Sequence, residues 1–154
     1  MKILITGGTG VLGRACISAL IGVGHEVTAF DLPSPRKHRS LKKRERLTWH
    51  YGDIRREEDW QPLLEGQDAI LHFASILPPN SEQDPEQAFA VNVEGTQRLL
   101  MAAARMNKKP LFVFPSSVSI YGKSKSTQKK TAADPVFAED AYTSHKIQCE
   151  KQVK

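Results

Sequence analysis

The sequence predicts an α/β chain: a doubly wound, mostly parallel sheet of about five strands, with helices on both faces. Three observations predict it. Short apolar runs alternate with longer segments of helical spacing along all 154 residues. The runs are nearly continuous in apolar residues, as strands buried on both faces require. A cluster of glycines separates the first run from the first helical segment.

The elements follow in order. "KILIT" is a buried strand, and "VLGRACISALIGVG" a helix on which Leu12, Cys16, Ala19 and Leu20 share a face, ended by Gly22 and Gly24. "HEVTAFD" is a second strand and "RLTWHYGD" a third. "REEDWQPLLEG" is a short helix or a pair of turns, and "DAILHFA" a fourth strand. "SEQDPEQAFAVNVEGTQRLLMAAARMN" is the longest helical region. Its apolar positions Phe89, Val93, Leu100 and Ala104 recur at helical multiples, and Lys108 and Lys109 suit its C-terminal end. "PLFVFPSS" is a fifth strand, entered through Pro110 and left through Pro115, and "FAEDAYTSHKIQCEKQVK" starts a last helix. Trp49, Trp60 and Met106 read as packing residues.

Composition narrows the classes. Hydrophobic residues make up 40% and charged residues 25%, and no stretch approaches the roughly 20 apolar residues that cross a bilayer. A strand begins straight after Met1 and Lys2, with no room for a leader, so a cytoplasmic location and no membrane partner are expected. Cys16 and Cys149 make no disulfide framework. Of 22 Lys and Arg residues, seven lie at 36–46 and four at 123–130. These basic stretches read as solvated surface, or as contacts to cofactor or substrate phosphates. No aromatic interleaving or recognition motif accompanies them, so no nucleic-acid partner is expected.

"TGGTGVLG" carries Gly7, Gly10 and Gly13, with Val11 and Leu12 opening the helix. A tight turn needs flexible backbone, which Gly7 supplies. A pyrophosphate must approach main-chain N–H groups closely, which Gly10 allows. The helix must pack against the sheet, which Gly13 allows. Together they predict a Rossmann-type dinucleotide site. Asp31, 18 residues beyond Gly13, ends the second strand, where a carboxylate accepts from an adenine-ribose diol and repels a 2′-phosphate. NAD is favoured over NADP on that ground, although Arg36 and Lys37 would reach a phosphate if their loop folds back. Asp53 ends the third strand near the adenine; its alternative role is to cap a helix beginning at "DIRREED".

Tyr142 and Lys146, in "YTSHK", lie four apart and so share a helix face. An ammonium beside a phenol favours its anion, which would make Tyr142 a usable proton donor or acceptor near neutrality. A serine hydroxyl from "PSSVSIYG", at the end of the fifth strand, is positioned to hold a reacting oxygen. No metal site is expected.

Taken together these motifs resemble the extended short-chain dehydrogenase/reductase family, its NAD-dependent sugar epimerase/dehydratase group. The resemblance implies Asp31 as the NAD-selecting acid and Asp53 with Ile54 as the adenine-contacting pair. It sets "LHFAS" beneath the cofactor, with His72, Phe73 and Ala74 beside it, and makes Asn92 a support of the active site. It makes Ser117, Tyr142 and Lys146 catalytic. Lys146 would also hold the nicotinamide ribose. Pro115 departs from the family pattern and leaves Ser116 as the alternative serine. Dehydratases of this family carry an acidic pair after the catalytic serine or threonine. Val118 and Ser119 stand there instead, which disfavours a dehydratase.

The implied reaction is reversible hydride transfer at a hydroxyl of a sugar or nucleotide-sugar, by an epimerase or a simple dehydrogenase. Members of the family are about twice this long. The chain therefore reads as one NAD-binding domain, residues 1–154, lacking the C-terminal strands and substrate domain, with weak NAD binding and little turnover. It ends eight residues after Lys146. A homodimer through helices at about 83–106 and 138–154 is expected of the longer form. A non-catalytic dinucleotide-binding or sensor protein and a purely structural protein are the other readings.

Overall fold

Residues 1–33, 44–123 and 129–154 are described by the computed structural model. Five strands form one parallel sheet: β1 (Lys2–Thr6), β2 (Glu26–Asp31), β3 (Leu47–Tyr51), β4 (Ala69–His72) and β5 (Leu111–Val113), in the order β3-β2-β1-β4-β5. The chain runs outward from β1 to β3 and then returns to add β4 on β1's other side. The crevice between β1 and β4, at the strands' C-terminal ends, is therefore the switch point where open α/β sheets bind ligands.

Alternation along the strands divides the core in two. Leu4, Phe30 and Ile70 face one side, with Ile54, Trp60 and Leu99. Ile3, Ile5, Val27, Ala29 and Ala69 face the other, around Ile17 of helix α1 (Val11–Gly22). The helix face differs from the one the spacing predicts. Gly13 and Ile17 are buried, with Cys16 and Leu20 half-buried, while Leu12 and Ala19 turn outward. Leu12 instead borders the crevice.

"REEDWQPLLEG" forms α2 (Glu57–Trp60) and a 3-10 turn. The long helical region is broken into α3 (Asn80–Gln83), α4 (Pro85–Phe89), a π-helical turn (Ala90–Gly95) and α5 (Thr96–Ala104). Asp84 caps α4, with Pro85 at its first position, as helix starts favour. The π turn widens the helix by one residue between α4 and α5. Ala88, Val93, Leu99 and Ala103 are buried, whereas Phe89 is exposed and only Val93 matches the predicted set fully. After β5 comes a 3-10 turn (Val118–Tyr121), then α6 (Ala141–Val153). Arg36, Lys37 and most of the two basic stretches lie outside the described residues, so their predicted phosphate contacts do too.

Candidate active site

A cleft of about 670 Å³ occupies the switch point. Its floor is the 7–13 turn and the start of α1. At one end lie Asp31, Asp53, Ile54 and Arg55; at the other lie Ser75 to Leu77, Ser116, Tyr142 and Lys146.

The floor is made by backbone. Gly7 has φ +71°, and a Cβ there would stand 2.6 Å from the carbonyl carbon of Phe73. The turn therefore lies directly against the chain leaving β4. A Cβ on Gly13 would stand 2.3 Å from Gly7 O, so α1 starts in contact with the turn. Gly10 is the N-cap residue of α1 and no side chain caps it. The first helical bond is from Arg14 N–H to Gly10 O, so the amides of Val11, Leu12 and Gly13 precede it. An uncapped helix start of this kind suits an anion.

At the β2–β3 end, Asp31 Oδ2 accepts from the backbone N–H and the hydroxyl of Thr9, at 2.7 and 2.6 Å, and Oδ1 accepts from Leu32 N–H. Asp31 thus holds the glycine turn as well as facing the cleft. Thr9 is a residue the motif reading passes over. The Asp53 carboxylate accepts from the Arg55 backbone N–H and its guanidinium. That guanidinium holds the Asp53 carboxyl below the usual carboxylate range, against burial. Asp53 does not cap a helix: α2 starts after Arg56. Ile54 is fixed from behind, its carbonyl accepting from the Trp60 indole at 2.9 Å. Trp60, fully buried, is therefore more than packing.

His72 is a correction to the expectation that it lies beside the cofactor. It lines no part of the cleft and is buried between the sheet and the π turn. The Thr96 hydroxyl donates to Asn92 O at 2.6 Å, so it accepts from His72 Nε2–H at 2.9 Å. Nδ1 then accepts from the Thr6 hydroxyl at 2.6 Å, and Thr6 in turn accepts from Ala74 N–H. One directed chain of hydrogen bonds ties β1, β4 and the π turn together, and burial holds the neutral imidazole's pKa down to about 3, with Lys146 adding to the effect.

Asn92 also stands behind the cleft rather than on its surface. Its Oδ1 accepts from Ile76 N–H at 2.7 Å and from the Ser75 hydroxyl, and its Nδ2 donates to Ile76 O at 2.9 Å and to His145 Nδ1. Residues 75–76, which line the cleft, are thereby rooted in the π turn.

Tyr142 and Lys146 share a face of α6, as the spacing predicts, and both line the cleft with Phe73 and Ala74. Ser117 caps the 3-10 turn and acts on the Tyr142 phenol, favouring its anion, whereas Ser116 borders the cleft. The electrostatics differ from the sequence expectation. Burial pushes the Tyr142 phenol up, Ser117 opposes this, and Asp140 adds to it. Lys146 is not among the causes. Its ammonium donates to Pro115 O at 3.0 Å and sits 4.3 Å from the Phe114 ring centre but 5.7 Å from that of Tyr142. Burial holds the ammonium's own pKa below its ordinary value. Among the described residues no three His, Cys, Asp or Glu side chains gather as a metal site, and no helix is long and apolar enough to cross a membrane.

Comparison with known proteins gives the chain's relatives. The chain is 32% identical over 159 aligned positions to a 3-beta-hydroxysteroid dehydrogenase of Mycolicibacterium neoaurum, covering 99% of this chain and 42% of that one. It is 35% identical over 130 positions to a UDP-glucose 4-epimerase of Klebsiella pneumoniae, covering 79% and 93%. Its fold superposes on a short-chain dehydrogenase/reductase superfamily protein of Agrobacterium tumefaciens, solved with bound NAD, with a TM-score of 0.84 and 29% identity over 99% of this chain and 44% of that one. The chain thus spans less than half the length of the first and third. The NAD dependent epimerase/dehydratase family matches residues 3–154, essentially the whole sequence, and the chain belongs to that family.

Proposed function

We propose that the cleft binds NAD and that the protein acts as an NAD-dependent oxidoreductase or epimerase on a hydroxyl of a sugar or nucleotide-sugar. The observation that carries the reading is the cleft itself. An uncapped helix start, a carboxylate at the end of β2 and a Tyr–Lys pair on α6 line a single continuous space. The donor set fits the cofactor: free amides for the pyrophosphate, Asp31 for the ribose diol and Asp53 with Ile54 for the adenine. One relative is a UDP-glucose epimerase by name and another a hydroxysteroid dehydrogenase, and a hydroxyl-bearing carbon is common to both. Two free cysteines suit the cytoplasm, and a second copy of the chain is the expected partner of the longer form.

The bound nicotinamide supplies the hydride acceptor and donor. The chain's own residues handle the proton. Tyr142, its phenol raised by burial, keeps its proton in the free protein and is set to act first as an acid or as a hydrogen-bond donor to the substrate oxygen. Ser117 acts on that phenol in the opposite sense, favouring its anion. Lys146 spends one of its three N–H donors on Pro115 O and would hold a ribose with another, and its approach to Tyr142 would favour the phenolate. Val118, 85% exposed after Ser117, offers no acid for eliminating water, so a dehydratase is disfavoured.

The test is a calorimetric titration with NAD⁺ and NADP⁺. Saturable binding that prefers NAD⁺, and that weakens about tenfold or more in Asp31→Ala, is expected for a lost pair of charge-assisted hydrogen bonds. A folded chain that binds neither dinucleotide sinks the proposal.

A second reading, a non-catalytic NAD-binding protein, draws on the raised Tyr142 phenol. Ultraviolet titration with NAD⁺ bound separates the two, using Tyr142→Phe to assign the signal. A phenol that moves down on binding supports the enzyme; one that stays raised supports the binder.

A further inference from the structure

The start of α6 has more partners than a solvated helix end requires. Asp140 and Thr143 form a capping box, with Asp140 Oδ1 accepting Thr143 N–H at 2.7 Å, and Ser144 N–H reaches Asp140 O. The two amides left over, Ala141 and Tyr142, would ordinarily take water. Here both donate to one carboxylate from about 60 residues away. Ala141 N–H reaches Glu82 Oε2 at 3.1 Å and Tyr142 N–H reaches Oε1 at 3.3 Å. The hydroxyl of Ser81, itself fully buried, donates to Oε1 at 3.0 Å and fixes the carboxylate's orientation.

Glu82 lies on α3, within the segment that leaves β4. That segment includes Ser75, Ile76 and Leu77, which line the same end of the cleft as Tyr142 and Lys146. Asn92 roots its first residues. Glu82 fastens its far part to the helix that carries the Tyr–Lys pair. The wall is thus held at two points, by two side chains that line no part of the cleft.

We propose that Glu82 is a positioning residue for the nicotinamide end of the cleft: by receiving the Ala141 and Tyr142 amides it holds the 75–84 segment closed against α6 and sets Tyr142 and Lys146 at the cofactor. This rests on the reading of the cleft as an NAD site. Glu82 touches neither the pyrophosphate floor nor the Asp31 end, so its effect is confined to one half of the ligand.

That confinement gives the test. Dissociation constants of the whole chain are measured for NAD⁺ and for ADP-ribose, which lacks the nicotinamide, in the wild type, Glu82→Ala and Glu82→Gln. Glu82→Ala is expected to weaken NAD⁺ roughly fivefold while leaving ADP-ribose within about twofold, the loss of two backbone contacts being felt only at that end. Glu82→Gln keeps one acceptor oxygen and sets an NH₂ against the other amide, so it recovers only part of the NAD⁺ affinity. Equal weakening of both ligands marks a general structural role and overturns the proposal, as does no change in either. A wild-type chain that binds neither ligand sinks the cofactor reading instead. Amide exchange then decides the latch alone: Ala141 and Tyr142 should exchange about tenfold faster in Glu82→Ala, with Thr143 and Ser144 unchanged. Unaltered exchange at Ala141 and Tyr142 overturns it.

Discussion

The two ends of the cleft are held together differently. The β1–β2–β3 end is built largely by backbone and by neighbours in sequence, with Asp31 holding Thr9 as the longer-range exception. The turn of residues 7–13 closes on itself, Asp53 is held by Arg55, and Ile54 by Trp60. The β4–β5–α6 end is built by side chains that meet across long stretches of chain: His72 with Thr6 and Thr96, Asn92 with Ile76 and His145, Glu82 with Ala141 and Tyr142. The first end tolerates no added atoms. The second tolerates no lost hydrogen bonds. Each kind of end has its own way to fail, and the expected effects run from the first to the last as follows.

The largest effect is expected at Gly13. A Cβ there would lie 2.3 Å from Gly7 O and 2.8 Å from Gly8 Cα, both backbone atoms, so neither can swing aside. Gly13→Ala should cost about 3 kcal/mol or more of stability, at the upper end of what overpacking does. Gly22, at the other end of the same helix, has nothing within 4 Å of an added Cβ. Gly22→Ala should change stability by no more than about 1 kcal/mol, in the stabilising direction. Urea denaturation midpoints of the two variants measure the contrast directly, and similar values would remove the distinction drawn for the floor of the cleft.

This contrast also explains how much was legible beforehand. The five strands, their alternation with helices and the glycine turn are local patterns, and the sheet follows them. The Tyr142–Lys146 face is local too, since it is fixed by helical periodicity. What the sequence did not show is tertiary. The π turn at 90–95 has no signal in apolar spacing, and the buried face carries Ala88 and Leu99 where Phe89 and Leu100 were expected. His72 sits in a segment expected to border the cofactor, but strand alternation sends its side chain to the opposite side, where Thr6 and Thr96 satisfy it. The acid strength of Tyr142 depends on where Lys146 points, which spacing alone does not determine. Glu82 carries no motif at all; its partners lie about 60 residues away.

At the side-chain-built end the next effect is one of pH. His72 has its folded pKa lowered to about 3 by burial, while in the unfolded chain it titrates near its ordinary value of 6.5. The unfolded state therefore binds the extra proton between these values. The stability that His72 contributes is fully present above pH 6.5 and is lost as the pH falls toward 3. The slope from this one group is about 1.4 kcal/mol per pH unit. His145, also lowered by burial, adds a slope of the same sign, so the measurement is a difference. Stability is followed from pH 6 to 4.5 in the wild type and in His72→Gln. The wild type should fall more steeply by roughly 1 kcal/mol per pH unit, whatever the offset between the two curves. Parallel curves would mean that His72 is protonated in the folded protein, and the directed hydrogen-bond chain through Thr6 and Thr96 could not then exist.

The smallest effect is expected at Arg55, which lines the same end as Asp31 and Asp53. Its guanidinium pairs with Asp53, yet the Arg55 side chain is 40% exposed, so solvent and salt screen the pair. Asp53 keeps other restraints without it: its own N–H donates to Asp59 at 2.8 Å, and the neighbouring Ile54 carbonyl is held by Trp60. Arg55→Ala should therefore cost about 0.5 kcal/mol at low salt and less at high salt. Its effect on the NAD⁺ dissociation constant should stay within about threefold, because the Asp53–Ile54 edge keeps its place through backbone contacts that the substitution does not touch. A loss of tenfold or more would show that the guanidinium itself meets the ligand, and that Arg55 joins Asp31 as a side chain that shapes that end of the cleft.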